Sequence, residues 1–271
     1  MRSLIEAFRN VIQALVVAIN FMTTIPIPGN FPFTQTACRR SVVFYPLAGA
    51  LIGLILMLAG MGLSEVFPLP LCGVLLMVIW LLLTGGLHLD GLMDTADGIL
   101  SHRSREEMLA IMKDSRVGAM GVIVCVAHLL LKTTLIGTWL QFPDMKEALI
   151  LFSVPIWSRW FVVLSIAGWP YARKQGLGSY VRAAGYKHVL LATFVALLVS
   201  MLGFYLTGFF PIGQVLILPF AMLGIAGIFG WLINSYFHRN LGGLTGDTYG
   251  AVNELLEVVL LLMSYLVIKL M

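Results

Sequence analysis

The sequence predicts an all-α fold: a polytopic integral membrane helix bundle of about seven transmembrane helices, plus an N-terminal helix that is interfacial or re-entrant. Three observations lead there. Of the 271 residues, 59% are hydrophobic and 11% charged, against roughly 45–50% and about 25% in a soluble domain. Mean hydropathy is +0.95. The apolar residues fall in runs close to the ~20 residues that a helix needs to cross a bilayer. A soluble fold of this size cannot bury so much apolar surface, so disordered, collagen-like and soluble DNA-binding classes are excluded. No polar linker divides the chain, and residues 1–271 form one membrane domain.

Taken in order, Arg2 and Arg9 precede an apolar stretch, Val11–Ile25. Glu6 interrupts the basic region and no small-residue cleavage site follows, so the stretch is not read as a cleaved signal peptide. Pro26 and Pro28 stop it as a helix, and it spans, re-enters or lies on the surface. Seven longer stretches have the length and composition of spans: 44–63, 70–87, 118–140, 147–168, 188–210, 214–237 and 249–270. With seven spans, 13 of the 17 lysines and arginines fall on the side that holds residues 29–43, and two on the other. That bias puts the basic side in the cytoplasm. It also accounts for the net charge of +4 without nucleic acid. Cys38, Cys72 and Cys125 are scattered and odd in number, which gives neither a disulfide framework nor a zinc spacing.

Most of the acids sit in two patches and one loop on the basic side. The first patch follows the 70–87 span directly and runs from Gly85 to Gly98. Its Asp90, Asp94 and Asp97 are spaced i, i+4, i+7 and share one helix face. Three carboxylates this close repel each other, and near a bilayer their charge is costly. A divalent cation with all-oxygen ligands removes that cost, which points to Mg²⁺ or Mn²⁺ rather than Zn²⁺. His88, two residues earlier, is a substrate contact or a partner of the ligands. In the following loop, Ser104-Arg105-Glu106-Glu107 fits a capping box ahead of a short amphipathic helix. That helix ends in Lys113-Asp114-Ser115-Arg116. Lys113 and Arg116 suit phosphate oxygens, and Asp114 suits a further metal ligand or a base; a snorkelling basic rim is the plainer alternative.

Arg159 lies near the middle of the 147–168 span. It must face a polar cavity or an acid, either a substrate phosphate or Glu257. The Tyr171–Gly178 loop is basic and glycine-bearing; phosphate binding through Arg173 and the inside-positive bias explain it equally well. The second acidic patch, Asn240–Gly250, runs on to Glu254 and Glu257. Its glycines allow backbone amides to approach a phosphate, and Asp247 is placed to cap the next helix. Glu254 and Glu257 go deeper into an apolar span and are candidates for function on that ground. His128, in another span, reads as structural.

Together these residues describe a membrane enzyme whose carboxylates hold one or two Mg²⁺ ions and whose cations hold anionic oxygens, chemistry suited to phosphoryl transfer. The motifs Gly85-Gly86-Leu87-His88-Leu89-Asp90-Gly91-Leu92, Asp94-Thr95-Ala96-Asp97-Gly98, Ile111-Met112-Lys113-Asp114-Ser115-Arg116-Val117-Gly118 and Leu241-Gly242-Gly243-Leu244-Thr245-Gly246-Asp247-Thr248-Tyr249-Gly250-Ala251 resemble the cobalamin synthase family. The likeness runs over nearly the whole chain, from Phe21–Pro28 and Phe44–Gly49 to Tyr171–Gly178. Two departures are Thr24, where members often carry Arg, and Trp160, where a small residue is expected. The resemblance implies attack of α-ribazole or its 5′-phosphate on adenosylcobinamide-GDP, with GMP released, Mg²⁺ as cofactor and the cytoplasmic (inner) membrane as location. It implies metal at Asp90, Asp94 and Asp97, and completion of the site or proton removal by Asp114 or Asp247. It implies phosphate contacts from Lys113, Arg116, Arg159 and Arg173, and orientation or acceptor binding by Glu254 and Glu257. A homo-oligomer is open. A CDP-alcohol phosphotransferase fits less well, because Leu92-Met93-Asp94 follows Asp90-Gly91 where that signature needs Ala-Arg. An ion-coupled transporter would place its acids near mid-membrane and show a repeat.

Overall fold

The computed structural model describes residues 2–140, 148–173, 177–181, 183–206 and 212–270. Residues 207–210 of one expected span, and Lys146, Lys174, Gly176 and Arg182, lie outside the described residues. The described residues form helices α1 (Arg2–Met22), α2 (Gln35–Ser41), α3 (Tyr45–Ser64), α4 (Leu69–Thr84), α5 (Leu87–Ile99) and α6 (Arg105–Ile111). There follow α7 (Ala119–Trp139), α8 (Ala148–Gly168), α9 (Tyr186–Leu206), α10 (Ile212–Leu241) and α11 (Gly246–Leu270). Short 3₁₀ turns at Val42–Phe44 and Leu177–Tyr180 complete the order.

Among the described residues, six helices are long and apolar enough to cross a membrane: α3 with the turns before it, α7, α8, α9, α10 and α11. The seventh expected span differs from the expectation. The apolar run through Leu87 breaks at Gly85 and Gly86, whose φ angles are 61° and 71°, a region costly for any residue with a Cβ. α4 and α5 therefore meet at 91° and meet the span criteria only as a pair. When α4 stands along the membrane normal, α5 lies along the face of the bundle. Thr24 fixes this corner: its amide donates to the Leu83 carbonyl (2.8 Å) and its hydroxyl to that of Leu82 (2.7 Å). α1 is not among the helices apolar enough to span. One face of it, with Ala14, Val17 and Ala18, is buried, and Phe8 and Val11 are exposed.

α8 is the axis of the bundle, with nearly all of its apolar window enclosed. α3 lies directly on it, because Gly49 and Gly53 leave no Cβ to strike the Pro155 and Phe152 carbonyls. Small residues four apart are the usual means of bringing membrane helices this close. α7, α9 and α10 form the outside. Leu130, Leu190, Phe194, Phe220 and Ile228 are exposed there and make the apolar belt that lipid requires.

Candidate functional site

Several helix ends meet at one cavity: the C-termini of α1 and α8 and the N-termini of α3, α5 and α11. Its volume is about 190 Å³, and its polar wall is His88 and Asp90 from α5, Arg173 from the loop after α8, and Asp247 from α11. Tyr171, Tyr249 and Tyr45 supply much of the rest.

Local sequence explains this convergence. α5 and α11 cross with their backbones almost touching. A Cβ at Gly91 would lie 2.6 Å from the Asp247 carbonyl oxygen, and one at Gly250 would lie 3.0 Å from the His88 backbone. Thr245 caps α11, with its hydroxyl accepting from the Thr248 amide at 3.2 Å and the Thr248 hydroxyl accepting from the Thr245 amide at 2.8 Å. The cap expected of Asp247 is thus made by Thr245, because that hydroxyl already faces the free amides. The Asp247 carboxylate is released to pair with Arg173 at 2.8 Å. A backbone strap holds Arg173 there: the Ala172 amide donates to the Leu244 carbonyl (2.7 Å), and the Leu244 amide to that of Pro170 (2.8 Å).

The three acids of the first patch separate. Asp97 turns away and accepts the Gly118 and Gly121 amides, both at 2.7 Å, so it caps the N-terminus of α7. Asp94 stays beside Asp90 and gains Asp247 as a neighbour. Partial burial, and then the charges of Asp90 and Asp247, raise its pKa to about 6, with Arg173 opposing. The like-charged group is therefore Asp90, Asp94 and Asp247 rather than the i, i+4, i+7 set. Among the described residues no three acids, histidines or cysteines converge into a preformed metal cage. The donor set nevertheless fits Mg²⁺, which typically takes one or two protein carboxylates and fills its shell with water and substrate phosphate.

Asp114 and Arg116 lie elsewhere. With Asp97, Ser101 and Arg103 they line an open groove of about 510 Å³ at the C-terminal end of α5. Arg116 binds Asp114 through its guanidinium (2.6 Å) and its amide (3.0 Å). These bonds hold the Asp114 carboxyl well below the usual carboxylate range. Lys113 is exposed on the same loop. The capping box is present as expected, with Ser104 and Glu107 bonding each other's amides.

Arg159, Glu254 and Glu257 form a third group, fully enclosed between α7, α8 and α11. Lys132 bonds Glu254 at 2.7 Å and also bonds Glu257, which pairs in turn with Arg159. His128 meets Glu254 at 2.8 Å. Two cations thus face two anions, and none of the four lines the cavity. Arg159 Nε and Nη2 have no hydrogen-bond partner among the described residues. Asn253 links the cluster to the cavity, its amide donating to Glu257 (3.1 Å) and to His88 Nδ1 (3.3 Å). The proton of His88 is then on Nε2. Burial, and next the Arg159 charge, keep this imidazole neutral, with its pKa lowered to about 3. Sequence reasoning missed Lys132 as a member of the cluster and His128 as a partner of Glu254. Their spacing of four on α7, against three between the glutamates on α11, was the available signal.

A helical membrane bundle with one carboxylate- and arginine-bearing cavity at its helix ends has the architecture of an integral membrane enzyme. Residues 14–265 match the family model described as Cobalamin-5-phosphate synthase, and the chain belongs to that family. The chain is 38% identical to the adenosylcobinamide-GDP ribazoletransferase of Geotalea daltonii (strain DSM 22248 / JCM 15807 / FRC-32), covering 91% of this chain and 94% of the relative. It is 39% identical to the enzyme of that name from Desulforamulus reducens (strain ATCC BAA-1160 / DSM 100696 / MI-1), covering 90% and 93%. The same name attaches to a relative in Roseiflexus sp. (strain RS-1), 38% identical over 90% and 86%. No solved structure matches the chain.

Proposed function

We propose that this chain is a Mg²⁺-dependent adenosylcobinamide-GDP ribazoletransferase of the cytoplasmic (inner) membrane, with its active site facing the cytoplasm. A free ribose hydroxyl of α-ribazole or its 5′-phosphate attacks the phosphorus attached to adenosylcobinamide. The P–O bond to GMP breaks, GMP leaves with its electron pair, and the acceptor's hydroxyl proton passes to a base. The observation that carries the reading is the meeting of Asp90, Asp247 and Arg173 in the wall of one cavity, with Asp94 close enough to feel their charges, in a chain whose relatives bear this name.

Asp90 and Asp94 would hold the metal, which when bound neutralises charge on the diphosphate. Arg173 binds a phosphate oxygen as a planar fork, and Asp247 keeps it aimed. Asp247 is favoured over Asp114 as the base, since Asp114 lies outside the cavity, in the groove at the C-terminal end of α5, and its bonds to Arg116 leave it too acidic to accept a proton readily. His88 offers its Nε2 proton to the acceptor. Lys113, Arg116 and Asp97 flank the groove by which the rest of a large donor is held. Arg159, Glu254 and Glu257 act indirectly, through Asn253 and His88.

The test uses purified protein in liposomes with adenosylcobinamide-GDP, α-ribazole 5′-phosphate and Mg²⁺. The expected result is corrinoid product in step with GMP, lost in EDTA and restored by Mg²⁺. Folded protein that yields no product would overturn the activity. Product formation insensitive to EDTA would overturn the metal alone.

A further inference from the structure

The acidic cavity has a neighbour of a different character. A second cavity of about 350 Å³ shares Phe21, Tyr45 and Val181 with it. Beyond these, its wall includes Val17 of α1, Phe33 of the following linker, Cys38 of α2 and Tyr180 of the second 3₁₀ turn. The rings of Phe21 and Tyr45 stack with centroids 6.1 Å apart and planes 16° from parallel, so a stacked aromatic pair stands in the wall that the two cavities share. Its polar groups are the hydroxyls of Ser41, Tyr45 and Tyr180. The Ser41 hydroxyl, also in the wall, is already given to the Cys38 carbonyl at 2.8 Å.

A nucleoside has the same two halves as this pair of cavities: a hydroxyl-bearing sugar and a flat ring system. We propose that the second cavity binds the aromatic base of the acceptor nucleoside, leaving its attacking ribose hydroxyl in the acidic cavity beside Asp90 and Asp247. This inference rests on the transferase reading above and assigns that site's acceptor half. The volume lies within the ordinary range for ligand pockets, and aromatic walls suit ring stacking. The donor's guanine is the less suitable occupant. Its polar edge would be buried against a wall that returns few hydrogen bonds, and each unmade bond is costly. A benzimidazole-like base, with few such groups, loses little.

The experiment fills the cavity from a position outside the acidic one. Cys38→Phe should raise KM for α-ribazole 5′-phosphate at least tenfold, leave KM for adenosylcobinamide-GDP within twofold, and leave the unfolding midpoint unchanged. The penalty should be larger for acceptors with a bicyclic base than for those with a single ring. A rise in donor KM, or no rise in acceptor KM, would overturn the assignment. Should Cys38→Phe not fold, the unaltered protein still gives an answer. Alkylation of Cys38 by N-ethylmaleimide, read by peptide mass spectrometry, should slow with α-ribazole 5′-phosphate and not with adenosylcobinamide-GDP. Protection by the donor alone, or by neither compound, as when lipid fills the cavity, would overturn it. If wild-type protein binds the nucleoside in this assay yet makes no product, the transferase reading fails and the base site stands.

Discussion

Asp90 and Asp97 sit two turns apart on one helix, yet substitutions at them should have opposite signatures. Asp90 lines the acidic cavity, while both oxygens of Asp97 hold backbone amides of α7. Asp90→Asn should lower turnover by about 10² or more, with the unfolding midpoint unmoved, as expected when a charged group acts only at the reaction centre. Asp97→Ala should cost about 1–2 kcal/mol of stability by uncapping α7, and activity should fall chiefly as the fold loosens. Thermal unfolding in detergent beside initial rates separates the two. Asp94 adds a pH dependence. Its folded pKa is raised to about 6 from an ordinary 3.8, so the folded protein binds this proton more tightly than the unfolded chain does. Asp94 therefore favours folding at low pH, and that contribution is lost as pH rises from about 4 through 6. A cation that binds the ionised form compensates above this range. The Mg²⁺-induced rise in unfolding midpoint should be larger at pH 7.5 than at pH 5, and Asp94→Asn should abolish the difference.

For the helices, the important feature is the near-contact between α5 and α11. Gly91→Val would drive a side chain into the Asp247 carbonyl, 2.6 Å from the Cβ position. The helices must then separate, taking Asp90 away from Asp247 and Arg173. Activity should be lost, and paired cysteines placed on α5 and α11 should no longer crosslink. The ionic cluster between α7, α8 and α11 tests differently. Lys132→Met leaves two buried glutamates facing one arginine and should cost about 3–5 kcal/mol. Adding Glu254→Gln should restore part of it, because the charges again balance. The helices themselves were legible in the sequence from apolar length. Their corners were not, since Gly85 and Gly86 sit within a run that length alone extends to Leu87. The partition of the acids was equally hidden: i, i+4, i+7 spacing gives a shared face, but only tertiary packing decides that Asp97 meets α7 and Asp94 meets α11.

For the whole molecule, the acidic cavity and the open groove lie at one end of the bundle, on the side that carries most lysines and arginines. A cysteine introduced at Ser101, in the loop after α5, should react with an impermeant maleimide in inverted vesicles and not in intact cells. The opposite result would reverse the orientation. The class was readable from composition and motifs, because a bilayer penalises every charge that lacks a purpose. The pairing of Arg159 with Glu257 was one of two readings left open, and chain periodicity cannot choose between them; the packed helices do. That pairing also sets the order in which the protein can be made. Lys132 and Arg159 enter the membrane on α7 and α8, and both glutamates that neutralise them arrive on α11, the last helix described. A ribosome working from the N-terminus therefore delivers two cationic spans well before their counter-charges. Each cation alone costs about 2.5–3.5 kcal/mol at mid-membrane, so α7 and α8 carry that cost until α11 is made. A chain that loses α11 to a premature stop is left with the charges of Lys132 and Arg159 unpaired in lipid.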